Sequence, residues 1–190
     1  DNCFSLKAYF RPMWQKRLTH KIKSWWNYQR IAQGKYYLHS PFVFWFYTEV
    51  LEPSPDAVCV AIENEFLGLK SNHSPIKIHE TFSTVSQIAK REIEVKYGKA
   101  IYQLLKESSA KYVLDLGPSL GIGTAYWASA KPTMEVTTID ESMDLQQQAK
   151  TVHGHLVLKN ITYINLPVDS VLVKSLADFR LLDVVILRNP

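Results

Sequence analysis

From Tyr112 onward, short runs of β-branched and aliphatic residues alternate with helix-length segments. Runs at 112–117 (YVLDLG), 135–140 (EVTTID), 161–164 (ITYI) and 182–187 (LDVVIL) read as strands, with room for crossover helices between them. Strand and helix in alternation predict an α/β unit with a parallel sheet and right-handed crossovers. Before residue 109 the pattern is helical. Trp14, Leu18, Ile22 and Trp25 recur at three- and four-residue spacing between a first-turn proline, Pro12, and a terminating glycine, Gly34. Ser40 and Pro41 start a short, strongly buried helix over 42–51 that Pro53 stops, and Ser54 and Pro55 start another through Val58, Ile62 and Phe66 that ends near Gly68. Segments 84–89 and 97–105 are helical. Residues 70–80 are polar, contain Ser74 and Pro75, and read as a loop with a brief extended piece at 76–78, the place for a lid or linker. The chain thus divides into an amphipathic arm at 1–35, a helical cap region at 36–108 and an α/β domain at 109–190.

Composition narrows the class without changing this plan. With 190 residues, 46% of them hydrophobic, the chain has enough apolar surface for a core, which excludes disordered and collagen-like sequence. No apolar run approaches the length of a membrane-spanning helix, the richest stretch being 42–47. Cys3 and Cys59 form no CxxC pair and support neither a disulfide framework nor a zinc knuckle, so a reducing, cytoplasmic setting is expected. The absence of an initiator Met implies a sequence that begins inside a longer one.

Charge adds an asymmetry. Residues 1–40 hold eight basic side chains and one acid, so the overall +4 belongs to a basic arm on a mildly acidic body. The aromatic stripe of that arm either packs on the body while its charges are solvated, or meets a nucleic-acid or anionic membrane surface.

The chemistry concentrates at residues 113–126, VLDLGPSLGIGTAY, where a hydrophobic strand carries an acid and a glycine-rich turn opens a helix. Gly117 and Gly121 let a backbone pass close to a ligand, and Asp140, followed by Glu141, stands at the end of the next strand, where an acid can accept from both hydroxyls of a ribose. The dinucleotide pattern fails for want of a third glycine after Gly123, and a Walker loop fails for want of Gly-Lys-Ser/Thr. Gly117, Gly121 and Gly123, with Tyr102 and Lys106, spell the elements of a short-chain dehydrogenase, but in the wrong order along the chain. A tight strand-to-helix connection with no ligand is the remaining plain reading.

Asp115, Gly117 and Gly121, in the order acid, one residue, glycine, three residues, glycine, resemble the first motif of the class I S-adenosylmethionine-dependent methyltransferases. Segments 37–44 (YLHSPFVF), 97–102 (YGKAIY) and 114–124 (LDLGPSLGIGT) look like successive blocks of a methyltransferase-like family of Bacteroidetes-type bacteria. The loop is also similar to the catechol and caffeoyl-CoA O-methyltransferase branch. The resemblance implies a Rossmann-like fold and S-adenosyl-L-methionine as cofactor. Gly117, Pro118, Ser119 and Gly121 would line its methionine part, Asp140 would hold the ribose with Glu141 beside it, and Asp115 would organise the loop near the sulfonium. That placement requires an open crevice above the carboxyl ends of the first two strands, with Asp140 turned toward it.

The chain also departs from the pattern. Arg188 and Asn189 stand where the related family has Asp-Gly, which disfavours metal-assisted O-methylation there, and no metal ligands are assigned. The third-motif region lacks its usual glycine and leaves Asp169 as a weak adenine contact. Four strands fall short of a full methyltransferase sheet. The strand at 182–187 would be an edge, so the α/β domain is expected to be truncated or that edge covered by a protein partner. His153 and His155, two residues apart, do not share a helix face, and His39 is either a base for an acceptor or a capping residue. Two functions follow: methyl transfer to an O, N or S nucleophile, with the catalytic residues unassigned, or a degenerate, non-catalytic module that binds a partner.

Overall fold

The computed structural model describes residues 23, 24, 26, 27, 40–52, 56–78, 81–167 and 182–188. The chain divides into two compact units, Asp1–Phe44 and Trp45–Pro190. Of the basic arm, residues 23, 24, 26 and 27 are helical, and the rest of the helix expected between Pro12 and Gly34 lies outside the described residues.

Helix α1, Pro41–Trp45, begins as expected at Ser40, whose side chain accepts from the Val43 amide at 3.4 Å. It widens into a π-helical stretch, Phe46–Leu51, which closes with the Glu52 amide donating to the Tyr47 carbonyl at 3.0 Å. The expected strongly buried helix is corrected here. Within the π stretch Val50 is buried and Leu51 exposed, because an unbroken aromatic run has no single apolar face to turn inward.

Asp56 caps helix α2, Ala57–Ser71, by accepting from the Val58 amide at 2.9 Å. Cys59, Ile62, Phe66 and Leu69 form its buried stripe, and Gly68 lies inside the helix instead of ending it. The extended piece expected at 76–78 is strand β1, Pro75–Ile78, and the loop reading of the segment is corrected by its antiparallel pairing with β2, Thr81–Thr84, in a hairpin. Only Ile76 of these eight residues is buried, and β2, with none, shows too little apolar alternation to be recognised without its partner. Thr84 then forms a capping box with Gln87 to open α3, Val85–Ala89, and α4, Val95–Glu107, follows.

The second half is a four-stranded parallel sheet in the order β5-β4-β3-β6, built from β3 (Tyr112–Leu116), β4 (Glu135–Asp140), β5 (Ile161–Asn165) and β6 (Val184–Leu187). Helices α5, Ile122–Ala130, and α6, Met143–His155, connect its first three strands. Alternation along β3 divides the core between the two faces of the sheet. Val113 packs in the large cluster with Ile122, Tyr126 and Trp127, and Leu114 and Leu116 pack with Ile139 in a smaller one.

Charged residues flank β6 at both ends. Asp183 accepts from the amides of Lys111 (2.7 Å) and Tyr112 (3.0 Å), which hold its carboxyl below the usual carboxylate range, and the Arg188 amide donates to the Leu116 carbonyl. Among the described residues no strand pairs with the outer edge of β6, where Val185 and Leu187 are exposed. Strand order reverses at β3, so the sheet's topological switch lies between β3 and β6.

Candidate functional site

The turn after β3 contains three residues with left-handed φ within five positions: Gly117 (+72°), Ser119 (+55°) and Gly121 (+85°). It closes with the Gly117 amide donating to the Ile139 carbonyl and the Gly121 amide to the Pro118 carbonyl, both at 3.0 Å. Gly121 caps α5, and its carbonyl accepts the first helical bond from Ala125.

Inside the turn lies an ion cluster. Asp115, on β3, is fully buried, and its Oδ2 accepts from Thr124 Oγ1 at 2.6 Å and from Arg188 Nη2 at 3.1 Å. The same Nη2 donates to the Pro118 carbonyl at 2.7 Å, while Nη1 donates to Glu92 Oε2 at 3.1 Å. Glu92, in the turn after α3, uses Oε1 to accept from the Leu120 amide at 2.7 Å. Burial pushes Glu92 up from the ordinary carboxyl range, against the pull of Arg188 and of the Leu120 amide.

Asp140 ends β4 with its carboxylate nearly buried and accepting from the Ser142 amide at 2.8 Å. Burial raises its pKa, opposed by the amides of Ser142 and of Ser119 in the glycine turn. Asn165, its register partner on β5, donates to the Asp140 carbonyl at 2.9 Å and holds the backbone in place. Asp115, Gly117, Pro118, Ser119, Gly121 and Asp140 therefore meet at the carboxyl edge of the sheet, and Glu141 follows on the exposed side.

The glycines acquire an unexpected explanation. A Cβ on Gly117 would lie 3.2 Å from the Arg188 carbonyl, and one on Gly123 would lie 2.7 Å from its Nη1. A Cβ on Gly121 would lie 2.7 Å from the Ala149 Cβ and 2.8 Å from His153 Nε2. The close approaches these glycines permit are thus made by the protein's own atoms. Glu92, Arg188 and His153 were not foreseen as parts of this turn. The one signal was the lone arginine ending an apolar strand.

Buried His153 supports the turn from α6. Its Nε2 lies 2.8 Å from the Gly121 carbonyl and its Nδ1 2.6 Å from the Tyr163 hydroxyl. A carbonyl can only accept, so Nε2 carries the proton and Tyr163 donates to Nδ1. Burial lowers the pKa of His153, with the Gly121 carbonyl opposing. An imidazole whose folded pKa lies below its unfolded value adds stability above the unfolded pKa, about 6.5, that is lost as pH falls toward the folded pKa. Melting temperatures of wild type and His153→Gln between pH 7.5 and pH 5 should therefore converge as the pH drops. A constant difference across that interval would refute the assignment.

Other expected residues serve local structure. Tyr102 donates to Asp56 Oδ2 at 2.8 Å and Lys106 joins the same atom at 3.3 Å, fastening α4 to the cap of α2. Burial raises the pKa of Tyr102, the opposite of what a dehydrogenase-type acid needs. His155 pairs with Glu65 at 3.0 Å. His39 and Asp169 lie outside the described residues. Among the described residues no group of three His, Cys, Asp or Glu is placed to hold a metal, and no helix is long and apolar enough to cross a membrane.

This geometry defines a class by its architecture, a parallel sheet with a glycine turn at the switch strand and an acid ending its neighbour. The chain matches no protein-family model and no curated protein. Its fold is that of Rossmann-like methyltransferases. It is similar to a candidate O-methyltransferase of Klebsiella pneumoniae at 14% identity and TM-score 0.51, over 72% of this chain and 55% of that one. It is also similar to an O-methyltransferase of Bacillus cereus in complex with SAH at 15% identity and TM-score 0.50, over 74% and 57%. The chain spans a little over half the length of these structures.

Proposed function

We propose that this chain binds S-adenosylmethionine and transfers its methyl group to an O, N or S nucleophile. The observation that carries the reading is Asp140, held at the end of β4 by the Ser142 amide at 2.8 Å and next to the glycine turn, whose Gly117 amide donates to the adjacent Ile139 carbonyl. A carboxylate offers about four acceptor positions, and the Ser142 amide leaves capacity for the two hydroxyls of a ribose. The surroundings also suit a cationic sulfonium, because Glu92, Asp115 and Asp140 outnumber Arg188 in acids to base.

In this reading Gly117, Pro118, Ser119 and Gly121 line the amino-acid part of the cofactor, Asp140 holds the sugar and Glu141 stands beside it. When bound, the cofactor supplies a methyl group activated by the positive sulfur. The chain's own work is to fix the sugar, shape the turn beside the ligand and keep water from the reacting atoms, so that the rate comes from alignment.

Calorimetric titration with S-adenosylhomocysteine tests this. Wild type should bind with measurable heat, and Asp140→Ala should bind about 10- to 100-fold more weakly, as expected for the loss of two hydrogen bonds to a charged acceptor. If wild type gives no heat, the reading fails and a non-catalytic, partner-binding module takes its place.

A further inference from the structure

We propose that Arg188 is a positioning residue whose guanidinium, shared between the buried carboxylates of Glu92 and Asp115, builds the ligand-binding shape of the glycine turn. This deepens the methyltransferase reading and rests on it for the nature of the ligand, but the clamp itself is a property of the unliganded chain.

Three distant segments meet at this guanidinium: the turn after α3, strand β3 and the end of β6. Both acid side chains are fully buried, so without a cation they would face each other in a medium that penalises each charge. Arg188 and Glu92 also take hold of the backbone on either side of one residue. The arginine accepts no bond and donates to the Pro118 carbonyl, while Glu92 accepts from the Leu120 amide. The residue between them, Ser119, has φ +55°, a conformation that costs a side-chain-bearing residue about 1–3 kcal/mol unless its surroundings impose it. The ion cluster therefore fixes the backbone on both sides of Ser119, in the turn next to the proposed sugar-binding acid. Gly117 and Gly123 leave the space that the backbone and guanidinium of Arg188 occupy.

An arginine that merely stabilised the fold would raise the melting temperature without a local signature at the turn. Amide hydrogen exchange on the unliganded full chain separates the two roles, using Arg188→Met, Glu92→Gln, the double variant and Arg188→Lys. Amides of residues 119–122 should exchange at least about tenfold faster in Arg188→Met, with those of β4 unchanged, and the double variant should be no faster than Arg188→Met, because the two side chains act as one unit. Arg188→Lys should fall in between, since a single ammonium keeps the charge but cannot span both acids and the Pro118 carbonyl. Turn exchange within about twofold of wild type, or strictly additive effects in the double variant, overturns the proposal. If Arg188→Met does not fold, Arg188→Lys and Glu92→Gln decide, and an unaltered turn in both overturns it. Absence of heat with S-adenosylhomocysteine removes the cofactor reading alone, whereas unaltered turn exchange removes the clamp alone.

Discussion

Gly121→Ala is expected to destabilise the chain by about 2–5 kcal/mol, the largest loss from any single methyl group added at the turn. Two costs combine. At φ +85° a Cβ meets its own backbone, which costs about 1–2 kcal/mol. The new methyl also lands 2.7 Å from the Ala149 Cβ and 2.8 Å from His153 Nε2, in a buried region where overpacking costs about 1–3 kcal/mol more. Because the His153 ring is held by the Gly121 carbonyl and Tyr163, it cannot turn aside without losing those bonds. For a chain of this length the loss corresponds to a fall of roughly 10 °C in melting temperature, measurable by calorimetry. Gly68→Ala is the control. It sits within α2 with nothing within 4 Å of the added Cβ, and should leave stability unchanged or raise it by up to about 1 kcal/mol. Equal effects at the two glycines would show that the conformation of the turn is not what Gly121 secures.

Asp115→Ala should cost about 3–5 kcal/mol, the penalty for leaving one partner of a buried ion pair behind. Its Oδ2 is the common acceptor of Thr124 and Arg188, so truncation removes the acceptor of a buried hydroxyl and one of the two carboxylates that compensate the buried guanidinium, leaving Nη2 only the Pro118 carbonyl and the Thr124 hydroxyl. Glu92 still faces Arg188, which keeps the loss below that of a wholly unpaired charge. Asp115→Asn retains an oxygen of the same shape without the charge and should lose about half as much. Denaturant midpoints at constant slope measure both values. A loss under about 1 kcal/mol for Asp115→Ala would show that the arginine relies on Glu92 and the Pro118 carbonyl and that the triad is not one unit.

The four strands of the sheet were legible because each is a local run of strand-forming residues closed by a turn, and the parallel arrangement followed from the helix-length intervals between them. The glycine turn and Asp140 were legible as a pair for the same reason, since the signals lie within one strand–helix–strand unit. Of the hairpin over 75–84 only the extended piece at 76–78 was legible; its partner β2 and their pairing were not, because a strand so polar gains its order from pairing, and pairing is invisible in a local window. Glu92 was not legible either. An acid in a polar segment reads as solvated until a distant arginine and a buried amide claim its two oxygens.

By itself, then, the sequence determined what short-range periodicity and turn chemistry can encode: an α/β chain, the order of its elements, and a strand-to-helix turn that only glycine can make at its sharpest positions. What those glycines accommodate was decided by the tertiary structure alone. Placing β6 beside β3 brings residue 188 to a turn some 70 positions earlier in the chain, and packing α6 beneath the turn brings His153 to Gly121. The physical reason is that hydrophobic pattern is a property of neighbours along the chain, whereas the partner of a buried charge is chosen by strand order and register.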